Sequence, residues 1–540
     1  MRIQLTPIMK KGLLLTLLSL TVFSFKAQDE SEDPNELQSL TALVQHIERL
    51  YVDSVERKAL VEDAIVGMLE ELDPHSSYIP AEELKRMNEP LKGNFEGVGI
   101  RFQILEDTIF VVSPISGGPS EKVGIMAGDR IVSVDDENVG GIGIQNSDVQ
   151  RLLKGPKGTK VEVGISRRGE KSILDFEITR DKIPIYSVDA SYMIDDITGY
   201  VKINRFAATT IEEFQESLSE LKGQGMENLI LDLQGNGGGY LRSAIEIADE
   251  FLSQDQLIVF TEGRSFPRRD VNASSRGGFE KGNLAVLIDE GSASASEIVS
   301  GAVQDWDRGL VIGRRSFGKG LVQKPVNLPN GGVVRLTTQE YFTPAGRCIQ
   351  KPYDEGSEEY RKEKYDRLDS GELTDADSVK VDESQLFYTR LNKREVYGGG
   401  GIVPDIFVPI DTTMGSDYYR QLVRKGIMNR HVLSYVNDER KSLSKNFPDV
   451  DTFIDSFHMD ERWFKDFFEY AEQEEVEYDE EGYLEAKELI DLRLKAMIAR
   501  NLFDSSAFYK IMNPLFPTYQ KAMEVMQDDT FQRLNLAQNQ

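Results

Sequence analysis

Residues 292–297 read Ser-Ala-Ser-Ala-Ser-Glu, and 25 residues after the middle serine comes Lys319, in Phe317-Gly318-Lys319-Gly320. Small neighbours leave room around a serine for a substrate backbone, and flanking glycines let the main chain approach closely. A serine hydroxyl is a poor nucleophile until a base takes its proton, and a desolvated lysine amine can be that base. An ordinary lysine, with a pKa of about 10.4, is neutral in about one molecule in 2,500 at pH 7. The chemistry therefore needs Lys319 buried away from water, with no carboxylate partner to hold its charged form.

Four other chemistries touch the same residues, and each lacks a requirement. Residues 313–319, GRRSFGK, follow the apolar run Leu310-Val311-Ile312 like the start of a phosphate-binding loop. Gly320 stands where Ser or Thr would hold magnesium, and LVQKPVNL then alternates like a strand instead of opening a helix. Ser316 and Lys319 also spell SxxK, but Gly318 and Gly320 weaken the helix that motif needs, and no KTG partner follows. GNGGGY, residues 235–240, has Tyr240 where a dinucleotide loop carries its third glycine. The histidines are His46, His75, His431 and His458. A histidine-based triad would have to borrow His75 from far upstream, so the lysine base is favoured.

Together, GSASASEI and RRSFGKGLVQ resemble the active-site segments of the carboxyl-terminal processing peptidases, also called tail-specific proteases. The resemblance implies Ser294 as nucleophile and Lys319 as base. It puts Gln323, two strand-steps beyond the lysine on the same face, at the lysine-orienting position. It implies an oxyanion hole from the amides of Ala295 and of Gly239, with Gly238 in reserve; one such donor is worth about 2.7–4 kcal/mol. It implies neither metal nor organic cofactor. LDPHSSY at 72–78, YFTPAGR at 341–347 and VYGGGGIVPD at 396–405 match the family too, while Gln234 stands where the family usually has arginine. His75 is read as a structural hydrogen-bonding residue. The resemblance spans about residues 50–412 and leaves the last quarter unexplained.

The elements that must position these residues follow from pattern. At 540 residues, 40% hydrophobic and 29% charged, the chain should hold about three or four domains. A net charge of −28 argues against nucleic acid or an anionic membrane as partner, since phosphate binding needs clustered Lys and Arg. Cys348 is the only cysteine, so no intramolecular disulfide forms and cysteine usage does not identify the compartment. Lys10 and Lys11 precede an apolar run, residues 12–25, too short for a membrane span. Residues 1–27 are read as a secretory signal peptide, with an uncleaved signal anchor as the alternative, and the expected location is periplasmic. Leu37, Leu40, Val44, Ile47 and Tyr51 repeat at helical spacing, as do Val61, Ile65, Met68 and Leu72; these stripes are expected to be core or a homodimer seam.

From residue 93 the pattern changes to short strands and glycine turns. Gly97-Val98-Gly99-Ile100, then Arg101-Phe102, and later AGDRIVSV at 127–134, resemble a PDZ domain. Glycine-loop amides can nest a chain-terminal carboxylate, and the strand after the loop can take a peptide by β-augmentation. A helix at 147–153 would wall the groove.

Beyond residue 181, alternating strands (200–203, 229–233, 284–288) and helices (209–221, 241–252) argue an α/β sheet. Glu297 and Asp305 are read as helix-surface or capping residues, Arg314 and Arg315 as solvated strand-end charges, and residues 351–393 as an exposed polar insertion. After Asp411 the chain turns helical, with stripes such as Trp463, Phe464, Phe467, Phe468 and Ala471.

The expected architecture is a multidomain α/β peptidase with an inserted β-rich PDZ domain, an N-terminal helical segment and a C-terminal helical region. The expected boundaries are 1–27, 28–92, 93–180, 181–412 and 413–540. The expected function is a secreted serine endopeptidase that takes protein substrates by their C-terminal tails. The alternative is a non-catalytic PDZ scaffold on the same fold.

Overall fold

The computed structural model describes residues 34–536; the expected signal peptide lies outside them. The chain divides into two units, residues 1–69 and 70–540. In the first, helix α1 (Pro34–Leu50) is followed by α2 (Arg57–Glu70), and Arg57 pairs with Glu48. The α1 stripe is not core: Leu37 is 65% exposed and Tyr51 61%, because no described residue of this unit covers them.

The second unit opens with β1 (Ser77–Ile79), α3 (Ala81–Lys92) and β2 (Asn94–Gly97). The PDZ-like segment follows as β3 (Ile100–Leu105), β4 (Thr108–Pro114), β5 (Arg130–Val134), α4 (Asn146–Leu153), β6 (Lys160–Ser166) and β7 (Leu174–Thr179). Its sheet runs β3-β4-β5-β6-β7, which leaves β3 on the edge. Next comes β8 (Asp181–Pro184), antiparallel to β2 with Gly97 opposite Asp181. The chain therefore enters and leaves this segment through one short ladder.

The α/β core is built from β9 (Val188–Met193), β10 (Thr198–Ile203), α5 (Thr210–Gly223), β11 (Asn228–Asp232), α6 (Leu241–Asp249), β12 (Leu257–Gly263), β13 (Phe266–Asn272), β14 (Leu284–Ile288), α7 (Ala295–Asp305), β15 (Leu310–Gly313), β16 (Leu321–Asn327), β17 (Val333–Phe342), α8 (Ser357–Asp369) and β18 (Ile406–Phe407). The main sheet runs β9-β10-β11-β14-β15-β18 and is parallel from β10 to β18. Its central strands are continuous apolar runs because helices cover both faces; Leu231, Val286 and Val311 are fully buried. A second sheet, β1-β17-β12-β13 with β16 beside β17, carries the strand that follows the lysine.

Among the C-terminal helices are α9 (Asp417–Arg424), α10 (Ile427–Asn446), α11 (Glu461–Gln473), α12 (Lys487–Leu502) and α13 (Pro517–Gln527). The α11 stripe packs inward, with Phe467 and Ala471 fully buried. Helix α10 touches the PDZ-like segment, where Arg168 pairs with Asp438. Among the described residues, no helix is long and apolar enough to cross a membrane.

The expected exposed insertion at 351–393 is not exposed throughout. Lys351, Tyr360, Arg367 and Glu372 within it are buried, because they pair with one another and with the Arg315–Gly320 loop.

Candidate active site

Of the three serines, only one is free to react. Ser292 Oγ donates to the Leu233 carbonyl at 2.8 Å, and Ser296 Oγ donates to the Asn236 carbonyl at 2.8 Å. Both residues are fully buried. Ser294 lies between them at the mouth of a cleft, and its hydroxyl donates to no group among the described residues. Its backbone has φ +57° and ψ −108°, a strained conformation for a residue with a Cβ. The strain is held by helix α7, whose Glu297 and Ile298 amides donate to the Ser294 carbonyl.

Glu297 is fully buried, which corrects the helix-surface half of the reading, while the capping half holds, since Glu297 caps the N-terminus of α7. Its carboxylate accepts from the amides of Ser294 (2.7 Å), Gly318 (2.7 Å) and Lys319 (2.9 Å) and from Ser316 Oγ (2.5 Å). Burial pushes its pKa up, and these donors pull it back. A buried carboxylate is tolerable only when so surrounded. Tyr341 makes a second bridge: its hydroxyl donates to the Lys319 carbonyl at 2.5 Å and lies 3.1 Å from the Ser294 carbonyl.

The Lys319 side chain is mostly buried, and its Nζ has no ion pair or hydrogen bond among the described residues. Burial lowers its pKa, Glu297 and Asp73 oppose that, and Arg335 adds to it. Glu297 is spent on its four donors, so it balances charge without gripping the ammonium. Arg314 and Arg315 are not solvated, as the sequence had suggested: they pair with Glu290 and Glu372 in the interior.

The turn after β11 supplies the other wall. Asn236 Oδ1 accepts the Gly238 amide at 2.9 Å, so that N–H is occupied. The amides of Gly239 and Ala295 have no partner among the described residues. A Cβ on Gly238 would lie 2.8 Å from Ser294 Cβ, at φ +98°, so glycine is required for this approach. The cleft, about 790 Å³, is lined by Gly239, Ser294 and Ala295, with Ile211, Leu241, Ile298, Leu321 and Val322 as apolar walls.

Residues 197–356 match peptidase family S41, 110–167 a PDZ domain, 18–83 the N-terminal domain of the activating protease CtpB, and 418–504 a family of unknown function. A carboxy-terminal-processing protease of Bartonella bacilliformis is 37% identical over 334 residues, covering 61% of this chain and 75% of that protein. The chain belongs to the carboxy-terminal-processing protease family. The carboxy-terminal processing protease CtpB of Bacillus subtilis is 34% identical over 360 residues, 66% of this chain and 74% of that protein. A solved photosystem II D1 C-terminal processing protease is 31% identical, covers 56% of this chain and 82% of its own, and superposes with a TM-score of 0.32.

In this member of the family, the PDZ groove lies between edge strand β3 and helix α4. It encloses about 200 Å³ lined by Val98, Gly99, Ile100, Phe102, Val149 and Leu153, among others. The Gly99 amide has no partner among the described residues. Of the six residues read from sequence, Gly97 is instead paired with β8, and the Arg101 side chain points to solvent.

Gln323 departs from expectation. A bulge between Val322 and Gln323 sets it opposite Thr337, and its Nε2 donates to Thr337 Oγ1 at 3.2 Å, not to Lys319. Thr337 Oγ1 in turn donates to Asp73 Oδ1 at 3.0 Å. Asp73 also accepts the His75 and Ser76 amides. Burial raises the Asp73 pKa, and these donors more than reverse that. His75 Nε2 pairs with Tyr360 OH at 2.8 Å. Burial, with Lys319 nearby, pushes the histidine down to about 4, so at neutral pH it is uncharged. Sequence reasoning missed Glu297, Tyr341 and Asp73; the only signal for them was membership of SASASE, YFTPAG and LDPHS.

Proposed function

We propose that this protein is a secreted, periplasmic serine endopeptidase that captures protein C-termini in its PDZ groove and cuts unfolded or tail-tagged chains with a Ser294–Lys319 dyad. The observation that carries the reading is the cleft itself. A lone free hydroxyl, Ser294, shares it with two unspent amides, beside a loop bearing a buried lysine without a carboxylate partner. Neutral Lys319 takes the Ser294 proton as Oγ bonds to the scissile carbonyl carbon. The oxyanion is received by the Gly239 and Ala295 amides, where preorganised donors act most strongly. As the C–N bond breaks, Lys319 returns the proton to the leaving amine. Water then repeats the sequence on the acyl-enzyme, with Lys319 again as base. Gln323 supports the lysine indirectly, through Thr337 and the Asp73 turn. The apolar cleft walls favour an apolar residue before the cut.

The test is proteolysis of a fluorogenic peptide with a free apolar C-terminus. Lys319→Ala and Lys319→Arg should both be nearly inactive, since a guanidinium stays protonated. Wild-type activity should rise with pH as the lysine loses its proton. Full activity in Lys319→Ala would sink the dyad, and a wild type without any proteolysis would favour a PDZ scaffold.

A further inference from the structure

The backbone of the lysine loop is satisfied almost group by group, and much of that comes from the 351–393 excursion. On one side, the Glu297 carboxylate takes the Gly318 and Lys319 amides. On the other, the Arg367 guanidinium donates to the carbonyls of Arg315 (3.2 Å), Ser316 (2.8 Å) and Phe317 (3.3 Å). Arg367 lies on α8 and is 3% exposed. One turn earlier on that helix, Glu363 accepts from Arg367 Nε, Arg315 Nη2 and Lys351 Nζ at 2.7, 3.2 and 2.7 Å. One turn earlier again, Tyr360 packs edge-on against Phe317 and His75.

A helix with Tyr360, Glu363 and Arg367 on one face therefore presents an inward polar stripe, where a surface helix normally presents an apolar one. Each of these charges is matched, and the fork of Arg367 serves three consecutive carbonyls and Glu363 at once, four acceptors where an ammonium has three N–H groups. We propose that α8 is a positioning element for Lys319, and that Arg367 and Glu363 are positioning residues that fix the lysine loop against Glu297. The proposal rests on Lys319 being the base.

Without the Arg367 grip, residues 315–317 lose their outer hydrogen bonds and the loop can move away from α7. The lysine would then regain water, which favours its charged form. The groups that face Lys319 are Glu297 from α7, Asp73 and His75 from the turn before β1, and Arg335 from β17. None of their side chains pairs with Arg367 or Glu363; the one link to α8 is Tyr360, which bonds His75 and is left in place.

The experiment measures kcat and KM against pH for the full-length wild type, Lys319→Ala, Arg367→Ala and Arg367→Lys on the same fluorogenic peptide. Arg367→Ala should lose kcat on the order of a hundredfold, the scale of a misplaced catalytic group, with KM changed by less than about threefold. Its acid limb should move to higher pH by about one unit. Arg367→Lys, which keeps the charge but not the fork, should fall between. A wild-type kcat and pH profile in Arg367→Ala would overturn the inference. Should Arg367→Ala fail to fold, Glu363→Gln, which loosens the same grip, is measured the same way, and an unmoved acid limb overturns it. Activity retained by Lys319→Ala is a separate outcome and removes the base reading itself, on which the inference stands.

Discussion

Ser294 and Lys319 donate their backbone amides to the same oxygen, Glu297 Oε2, at 2.7 and 2.9 Å. The two candidate reacting residues are thus positioned through their main chains, by one buried carboxylate, while neither side chain donates a hydrogen bond to another described residue. That division keeps the hydroxyl and the amine free for substrate and fixes the distance between the loops that carry them.

Glu297→Gln should disrupt this arrangement. An amide nitrogen cannot accept, so at least one of the donors now held by the carboxylate is left buried and unpaired, at about 1–3 kcal/mol. Thermal unfolding should show the loss of stability, and kcat should fall by more than KM rises. An unchanged melting temperature and kcat would contradict the hub role.

The three serines separate by experiment. Ser294→Ala should abolish cleavage with little change in melting temperature. Ser292→Ala and Ser296→Ala should keep turnover but lose about 0.5–1.5 kcal/mol each, the net worth of a hydrogen bond. Calorimetry beside the peptide assay distinguishes the patterns.

Asp305 and Arg347 form an ion pair that is 0% exposed on both sides, although the sequence had suggested a helix-surface role for Asp305. Breaking one side of such a pair costs about 3–5 kcal/mol. Asp305→Asn should therefore unfold at markedly lower urea concentration than wild type, and a midpoint shift near zero would refute it.

Stability should fall on mild acidification. His75 and His431 are both pushed from 6.5 to about 4, chiefly by burial. Between those values the unfolded chain binds protons that the folded chain refuses, so stability is full above about pH 6.5 and falls as pH drops towards 4. Allowing for partial exposure, each contributes about 2 kcal/mol across that window. The double variant His75→Asn, His431→Phe should show a visibly flatter stability profile over the same range.

Tail recognition can be tested with matched peptides. A free C-terminal carboxylate meeting the loop amides near Gly99 should bind more tightly than its amide, by about tenfold to a hundredfold. Fluorescence binding to Ser294→Ala would show equal affinities if the groove does not read the terminus.

Much of the site was legible because its chemistry restricts residue types. Small residues around Ser294, glycines around Lys319 and the GNGGG turn can hardly be anything but tight backbone. Which serine keeps its hydroxyl proton uncommitted was not legible from composition, since the Leu233 and Asn236 carbonyls take those of the other two. Charged residues were misread for one common reason. Glu297, Asp305, Arg315 and Arg367 look solvated in a sequence because unpaired charges are almost never buried. Each also has a partner between 19 and 57 positions away, and those distant pairings, which bury the charges, leave no local mark in the sequence. The shift of Gln323 towards Thr337 has a different origin, a β-bulge that no side-chain pattern encodes.

The pairing of β1 with β17, Ser77 opposite Arg335, has a consequence for timing. During synthesis Ser294 emerges first and Lys319 25 residues later. Tyr341 and Arg367 come later still, and the Asp73 turn waits for Thr337. A partly made chain therefore carries Ser294 without the contacts that position Lys319, and a domain of this kind folds as a unit once complete.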